Sequence, residues 1–375
     1  MDTELYIGLM SGTSLDGVDA VLVAISDNLI KMQAHHFIPM PIELKNRLNE
    51  LCVQQSPQLL EIGLLDYELG HLYADAVLAL LQKAQVDASQ IKAIGNHGQT
   101  VFHHPQKNAP FTMQLGDANI IAVRTGITTI ADFRRKDMAL GGQGAPLVPA
   151  FHQELISDKK AFNVVLNIGG IANISVIYPN VHKVLGYDTG PGNTLLDMWC
   201  SYQTPAAYDK DACLAQKGCV YQPLLAEMLQ DPYFTQSIPK STGREYFNLN
   251  WLKTYCTKAA ANKVKIEDIQ ATLCALTTQS IGQELNKLAQ NYPQSKHLFV
   301  CGGGVHNPVI MRQLIQLLPQ WSVTTTHALN IDPDYMEAIA FAWLAYRRIN
   351  NLPSNLPSVT GASHHTSLGV IYLAD

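Results

Sequence analysis

Several short stretches of this chain set glycine beside hydroxyl, carboxylate or guanidinium side chains. The first, Ser11-Gly12-Thr13-Ser14-Leu15-Asp16-Gly17-Val18-Asp19, lies between two alternating apolar runs. That pattern predicts a β-hairpin with a polar tip. Gly12 and Gly17 let the backbone approach a polyphosphate. Thr13 and Ser14 offer donors, and turn N–H groups can form an anion-binding concavity. Asp16 and Asp19 are of the type that holds Mg²⁺ directly or through water. A plain surface hairpin would use the same residues. The second stretch, Gly186-Tyr187-Asp188-Thr189-Gly190-Pro191-Gly192-Asn193, delivers a carboxylate to a strand end ahead of a Gly-Pro-Gly turn and a helix. Asp188 there suits a general base, and capping of the turn or helix is the alternative.

Other stretches fill out the set. Asn167 to Asn173 (NIGGIAN) is a second glycine turn, with Asn167, Gly169 and Gly170 placed to meet phosphates. A tight turn alone would also use them. Gly302-Gly303-Gly304 follows an apolar strand and leaves backbone on which a flat ring such as adenine can lie. Neither GxxxxGK[ST] nor GxGxxG is present. His97, at a strand end, is a candidate for a sugar hydroxyl, or for a structural hydrogen bond. Asp117 can join the same pocket or cap the helix after it. Arg134 and Arg135 are candidates for bidentate pairing with a substrate carboxylate, and a solvated loop is the other reading.

Elements must position these residues. Strands are expected at the opening hairpin, 29–37, 91–95, 111–115 and 127–131, with helices at 42–53, 58–83 and 118–125. The charged, glycine-rich stretch 132–144 reads as an interdomain loop. After it the hairpin pattern returns at 161–178, which suggests an internal structural duplication. A strand then ends at Asp188, helices follow at 249–262 and 266–291, a strand at 298–301, and a last helix at 334–348. Alternating strands and helices imply an α/β fold. The expected division is a domain at 1–131, to which the segment after about 350 returns, and a second at 132–350.

Composition narrows the class. With 47% apolar and 15% charged residues, the 375-residue chain reads as globular with a large core. A net charge of −5 argues against a nucleic-acid surface. Asp2 and Glu4 stand where a signal peptide would carry positive charge, and no apolar run approaches the ~18 residues of a membrane span. The seven cysteines show no CxxC pairing. A soluble cytoplasmic protein is expected, with a symmetric dimer the common assembly for such an enzyme.

In this order, SGTSLDGVD, NHGQT, QLGD, DFRRKDMALGGQGAP, NIGGIANI, GYDTGPGN and CGGGVHN closely resemble the anhydro-N-acetylmuramic acid kinase family. The resemblance covers residues 6–372. It implies two related actin-like (ribonuclease H-like) α/β domains with mixed five-stranded core sheets flanking an ATP cleft. It implies a phosphotransferase with an alcohol acceptor, ATP and Mg²⁺ as cofactors, and 1,6-anhydro-N-acetylmuramic acid as substrate. Water adds at C1, the anhydro bridge opens and O6 is phosphorylated, giving N-acetylmuramic acid 6-phosphate and ADP in peptidoglycan recycling. Asp188 matches the family's base, and Gly12, Thr13, Ser14, Asp16, Gly17 and Asp19 its ATP loop. An ordinary sugar kinase acting on a free hydroxyl and a non-catalytic ATPase of the same fold are the alternatives.

Overall fold

A computed structural model describes residues 3–12, 14–27, 29–53, 58–105, 108–156, 158–179, 183–238 and 240–374. Contacts divide the chain into two compact units. One takes in the residues up to Leu155 together with Tyr335–Asp375, and the other is Ile156–Asp334.

The first unit opens with β1 (Glu4–Met10), β2 (Gly17–Ser26) and β3 (Leu29–Pro39), then α1 (Ile42–Val53) and α2 (Leu59–Ala84). It continues through β4 (Ile91–Asn96), β5 (Gln99–His104), β6 (Phe111–Leu115), α3 (Ala118–Thr125), β7 (Thr129–Ala131), α4 (Arg135–Ala139) and α5 (Val148–Leu155). In the second unit β8 (Phe162–Ile168), β9 (Ile171–Ile177) and β10 (Val184–Pro191) lead to α6 (Thr194–Gln203), α7 (Gln222–Leu229), α8 (Pro232–Thr235), α9 (Leu249–Lys258) and α10 (Ile266–Ala289). It ends with β11 (Lys296–Cys301), α11 (Pro308–Leu317) and β12 (Trp321–Thr325). The chain then returns to the first unit as α12 (Met336–Ile349), α13 (Pro357–Thr360) and β13 (Val370–Tyr372).

The two main sheets repeat one topology. Five strands of the first run β3-β2-β1-β4-β7, and the second runs β10-β9-β8-β11-β12. In each, a three-stranded antiparallel meander is extended by two parallel strands beside its first strand. The duplication suggested by the two hairpins is thus a duplication of sheet order. In the first unit β13 adds a sixth strand, antiparallel to β7, and β5 and β6 form a separate hairpin.

Long apolar strands need cover on both faces. Ile7 and Leu9 of β1 point into a cluster with Leu65, Leu69, Tyr73, Val77 and Leu80, the one-sided stripe of α2. The opposite face of β1 and β4 carries Gly8 and Gly95, which are register partners. A Cβ on Gly8 would strike the Ala338 carbonyl, and one on Gly95 the Phe341 carbonyl. The alanine-rich α12 therefore lies with its backbone against the sheet, as core packing of the first unit.

The unit boundaries differ from the sequence expectation of 131/132 and about 350. Residues 132–155 belong with the first unit because their side chains are tied there. Arg134 bonds His97. The fully buried Asp137 accepts from Gly144 N–H, Asn355 and Thr360. The return comes at Tyr335 because α12 is the helix that the two glycines admit.

Gly95→Ala is expected to cost about 1–3 kcal/mol in urea unfolding, through forced separation of α12 from β4. Gly63→Ala, at an exposed position of α2 with nothing within 4 Å of the new methyl, should instead stabilise by about 0.5–1 kcal/mol.

Candidate active site

In the second unit the expected motifs meet at one end of the sheet. The turn between β8 and β9 presents its carbonyls to the start of α6. Gly169 O accepts from Asn193 N–H at 2.8 Å, and Gly170 O from the N–H groups of Gly192 and Thr194 at 2.9 and 3.0 Å. Asn193 Nδ2 donates to Ile168 O at 3.1 Å. Asn167, beside Cys301 in register, stands next to the glycine triplet. Gly302 has φ +79°, and a side chain on it would strike Asn167. Gly304 is closed off by Ile168, whereas a Cβ on Gly303 would meet nothing nearer than Asn193 Nδ2 at 3.8 Å. Two of the three glycines thus serve packing against β8, and only Gly303 leaves open backbone.

Asp188 lies on β10 at a bulge, opposite Asn173. Its backbone N–H donates to Lys240 O at 3.0 Å, and its carbonyl accepts from Tyr233 Oη at 2.7 Å. Its carboxylate accepts from Thr242 N–H at 3.0 Å. Burial raises its pKa to about 6; the Thr242 N–H opposes this, and the negative charge of Glu245 adds to it. A carboxylate held mostly unsolvated, with one hydrogen bond, is a stronger base than a free aspartate and is ionised at neutral pH.

Among the described residues, the hydrogen-bond partners of Asp188 outside the β-ladder come from the strap 233–244, and the strap is locked. Lys240 Nζ, 1% exposed, pairs with Glu284 Oε1 on α10 at 2.9 Å and donates to the carbonyls of Tyr233 and Phe234. Glu284 also accepts from Tyr187, the residue before Asp188. On the strap's flank Asp231 accepts from Tyr246, Trp251, Tyr255 and the Tyr233 N–H. Burial opposes its charge, yet these donors hold its carboxyl below the usual range.

Lys240, Glu284, Tyr233, Thr242 and Asp231 escape the sequence reading. One visible signal is Glu284, an acid on a helix face shared with Ile281 and Leu285.

In the first unit Gly12, Ser14 and Asp16 occupy the connection from β1 to β2, Gly17 opens β2, and Asp19 lies on β2 itself. Thr13 lies outside the described residues. Ser11 Oγ donates to Gln99 at 2.7 Å, Leu15 N–H to Gly12 O at 3.2 Å, and Met40 N–H to Asp16 O at 2.9 Å, which fixes the loop at both ends. Asp16 is largely exposed and pairs with Lys45 at 3.0 Å; Asp19 is half-buried. Among the described residues no group of three or more His, Cys, Asp or Glu could hold a metal ion. Mg²⁺ commonly takes one or two carboxylates together with waters and phosphate oxygens. The donor set therefore fits an ion that arrives with a polyphosphate.

The four residues weighed as substrate contacts separate into two roles. His97, Asp117 and Arg135 line one cavity of about 250 Å³ in the first unit, with Asp66, Gln114 and Tyr372. Arg134 does not line it. Its Nη2 and Nε donate to His97 Nε2 at 2.7 and 3.2 Å, and Nη1 to Gly144 O at 2.8 Å. Burial and then the Arg134 charge push the His97 pKa well down. The imidazole is neutral, with its proton on Nδ1. Asp117 caps α3 by accepting from Asn119 N–H at 2.8 Å, and Arg135 pairs with Asp132 at 2.7 Å.

Two sheets of one repeated mixed topology define the class: an α/β protein of two units, each built on a mixed five-stranded core sheet. The family model for anhydro-N-acetylmuramic acid kinase matches residues 4–374, and the chain belongs to that family, one of phosphotransferases. It is 58% identical to the anhydro-N-acetylmuramic acid kinase of Vibrio parahaemolyticus, covering 98% of each chain. It is 57% identical to that of Vibrio cholerae, covering 100% of each. Among solved structures it is similar to an activator of the 2-hydroxyisocaproyl-CoA dehydratase from Clostridium difficile with bound ADPNP, at TM-score 0.46 and 11% identity, covering 92% of this chain and 96% of that one. No helix among the described residues is long and apolar enough to cross a membrane.

Lys240→Met is expected to destabilise by about 3–5 kcal/mol, because Glu284 is left buried without its partner. The double variant Lys240→Met with Glu284→Leu should recover most of that loss. Urea unfolding of the two variants and the parent checks both.

Proposed function

We propose that this enzyme uses ATP to convert 1,6-anhydro-N-acetylmuramic acid to N-acetylmuramic acid 6-phosphate, with Asp188 as the base. The observation that carries the reading is the half-buried, singly hydrogen-bonded carboxylate of Asp188, its pKa raised by desolvation, in a chain of this family.

The chemistry follows from the charge. Asp188 takes a proton from a water molecule as the water oxygen bonds to C1. The bond from C1 to the bridging oxygen breaks through an oxocarbenium-like state. The electron pair stays on that oxygen, now O6, which attacks the γ-phosphorus as the bond to ADP breaks. The proton on Asp188 passes to solvent afterwards. The phosphoryl group captures the oxyanion, so no second carboxylic acid is needed to protonate it. Phosphoryl transfer asks chiefly for positioning and charge stabilisation.

In this reading the loop of Gly12, Thr13, Ser14, Asp16, Gly17 and Asp19 meets the nucleotide phosphates. Asn167, Gly169 and Gly170 do so from the second unit. Gly302, Gly303 and Gly304 form the adenine side, with Gly303 the open backbone. Asp16 and Asp19 are the carboxylates for Mg²⁺, which supplies neutralisation of phosphate charge when bound. The cavity of His97, Asp117 and Arg135 takes the sugar, Arg135 being its exposed cation, and Arg134 orients His97. ATP and a cell-wall fragment as co-substrates assign the reaction to the cytoplasm.

Asp188→Asn is expected to lower kcat by roughly 10²–10⁴-fold while leaving ATP affinity within about twofold. ADP release in the presence of the anhydro sugar or of ordinary N-acetylmuramic acid tests the ring opening. Equal turnover of the two would overturn it. In the parent enzyme kcat/KM should fall as pH drops through about 6, the pKa of Asp188, since the protonated acid cannot accept a proton.

The same shift makes a stability prediction. A carboxyl whose pKa rises on folding destabilises the fold above its unfolded value and not below it. Asp188→Asn should therefore raise the Tm at pH 8, by a free energy on the order of 1 kcal/mol, and change it little at pH 3.5.

A further inference from the structure

The strap that holds Asp188 also carries Arg244 to the glycine turn between β8 and β9. A side chain on Gly170 would meet Thr194 Oγ1 at 2.7 Å and Arg244 Nε and Nη2 at 3.5 Å each. A hydroxyl and the side-on edge of a guanidinium thus flank one face of Gly170, and the missing Cβ keeps the space between them open. Thr194 is 3% exposed, and its Oγ1 has no hydrogen-bond partner among the described residues. The buried Oγ1 of Thr242, two residues before Arg244, has none either. Arg244 itself is exposed, and no ion pair within 4.0 Å engages it among the described residues. A buried hydroxyl without a partner is costly to keep, and the Nε–Nη2 edge of arginine matches two oxygens of a phosphate.

We propose that Arg244 and Thr194 contact the terminal phosphoryl group of ATP, so that the strap that holds the base also carries the phosphate-binding cation. This rests on the reading of Asp188 and ATP given above. A phosphoryl group has three terminal oxygens, enough for the two guanidinium donors and the hydroxyl together. During transfer the bond from phosphorus to the ADP oxygen breaks and the bond to O6 forms, while charge spreads over those three oxygens. Arg244 and Thr194 donate hydrogen bonds to them and exchange no proton. The backbone on both sides of Arg244 is fixed before the ligand arrives, by Lys240 with Glu284 ahead of it and by Tyr246 and Trp251 on Asp231 after it. A donor carried on a fixed backbone has less to reorganise when charge develops on the phosphoryl oxygens.

The test compares Arg244→Ala, Arg244→Lys and Thr194→Val in the full-length enzyme. Calorimetry with a non-hydrolysable ATP analogue and with ADP, each with Mg²⁺, is run beside steady-state kinetics in both substrates. Arg244→Ala should lower kcat by roughly 10²–10³-fold. It should weaken the ATP analogue roughly tenfold and ADP less than about twofold. Arg244→Lys should restore part of the analogue affinity but less than about a tenth of kcat. Thr194→Val should shift both quantities in the same direction by less. Equal weakening of ADP and the analogue overturns the proposal. So does a loss confined to the KM of the sugar, which would mark a contact to the substrate carboxylate, or an Arg244→Ala enzyme as active as the parent. If the parent binds ATP but does not turn over the anhydro sugar, the functional reading fails, while the difference between the analogue and ADP still reports on Arg244.

Discussion

A carboxylate kept dry enough to be basic must be held by something other than water, and in this enzyme that task falls to the Lys240–Glu284 pair. The pair is buried, so its two charges depend on one another. Its yield is geometric: it fastens the chain at Asp188, through Tyr187, the residue before it, and through the Lys240 carbonyl, which accepts from the Asp188 N–H. Without that lock the Thr242 N–H would have no fixed position from which to meet the carboxylate. Protein packed around Asp188 strips part of its hydration, and with the Thr242 N–H as its hydrogen bond this keeps its proton affinity within reach of neutral pH.

The rest of the second unit serves the same end of the sheet. Strand order carries β8, β10 and β11 to it, and three turns rich in glycine follow those strands. The glycines are not interchangeable. Gly302 and Gly304 are spent on bringing the β11 turn against Ile168 and Asn167, and Gly170 keeps a face clear beside Thr194. The turn carbonyls of Gly169 and Gly170 take up the N–H groups at the start of α6. The N–H groups of Gly192, Asn193 and Thr194 are thereby taken up within the protein.

Local order was well legible in the residues. The apolar spacing places helices at 42–53 and 118–125, where α1 and α3 lie, and the repeated hairpin points to the repeated sheet. Less visible were β5, β12 and β13, which are short or edge-lying, and α11. Its signal is nonetheless present: Asn307 caps Val309 and Ile310 ahead of an apolar face, with Pro308 in the first turn. Along α2 the leucines at 59, 60 and 64 are exposed, and Leu65, Leu69 and Tyr73 make the core. Of the site, the residues with unusual backbone were readable and their supports were not. Lys240 and Glu284 are 44 positions apart, and no local pattern links a lysine in an irregular strap to one acid on a buried helix. A separation of 37 positions likewise hides Arg134 behind His97, so that one arginine of an adjacent pair serves the histidine and the other the cavity.

The two glycines beneath α12 have a mechanical meaning. Gly8 sits in mid-strand on β1, which runs into the loop at 11–19, and Gly95 in mid-strand on β4, which runs into His97. The same helix backbone presses on both, and the two strands exit side by side: His97 N–H bonds Leu9 O, and Ser11 bonds Gln99. The loop and the histidine consequently share one frame of reference.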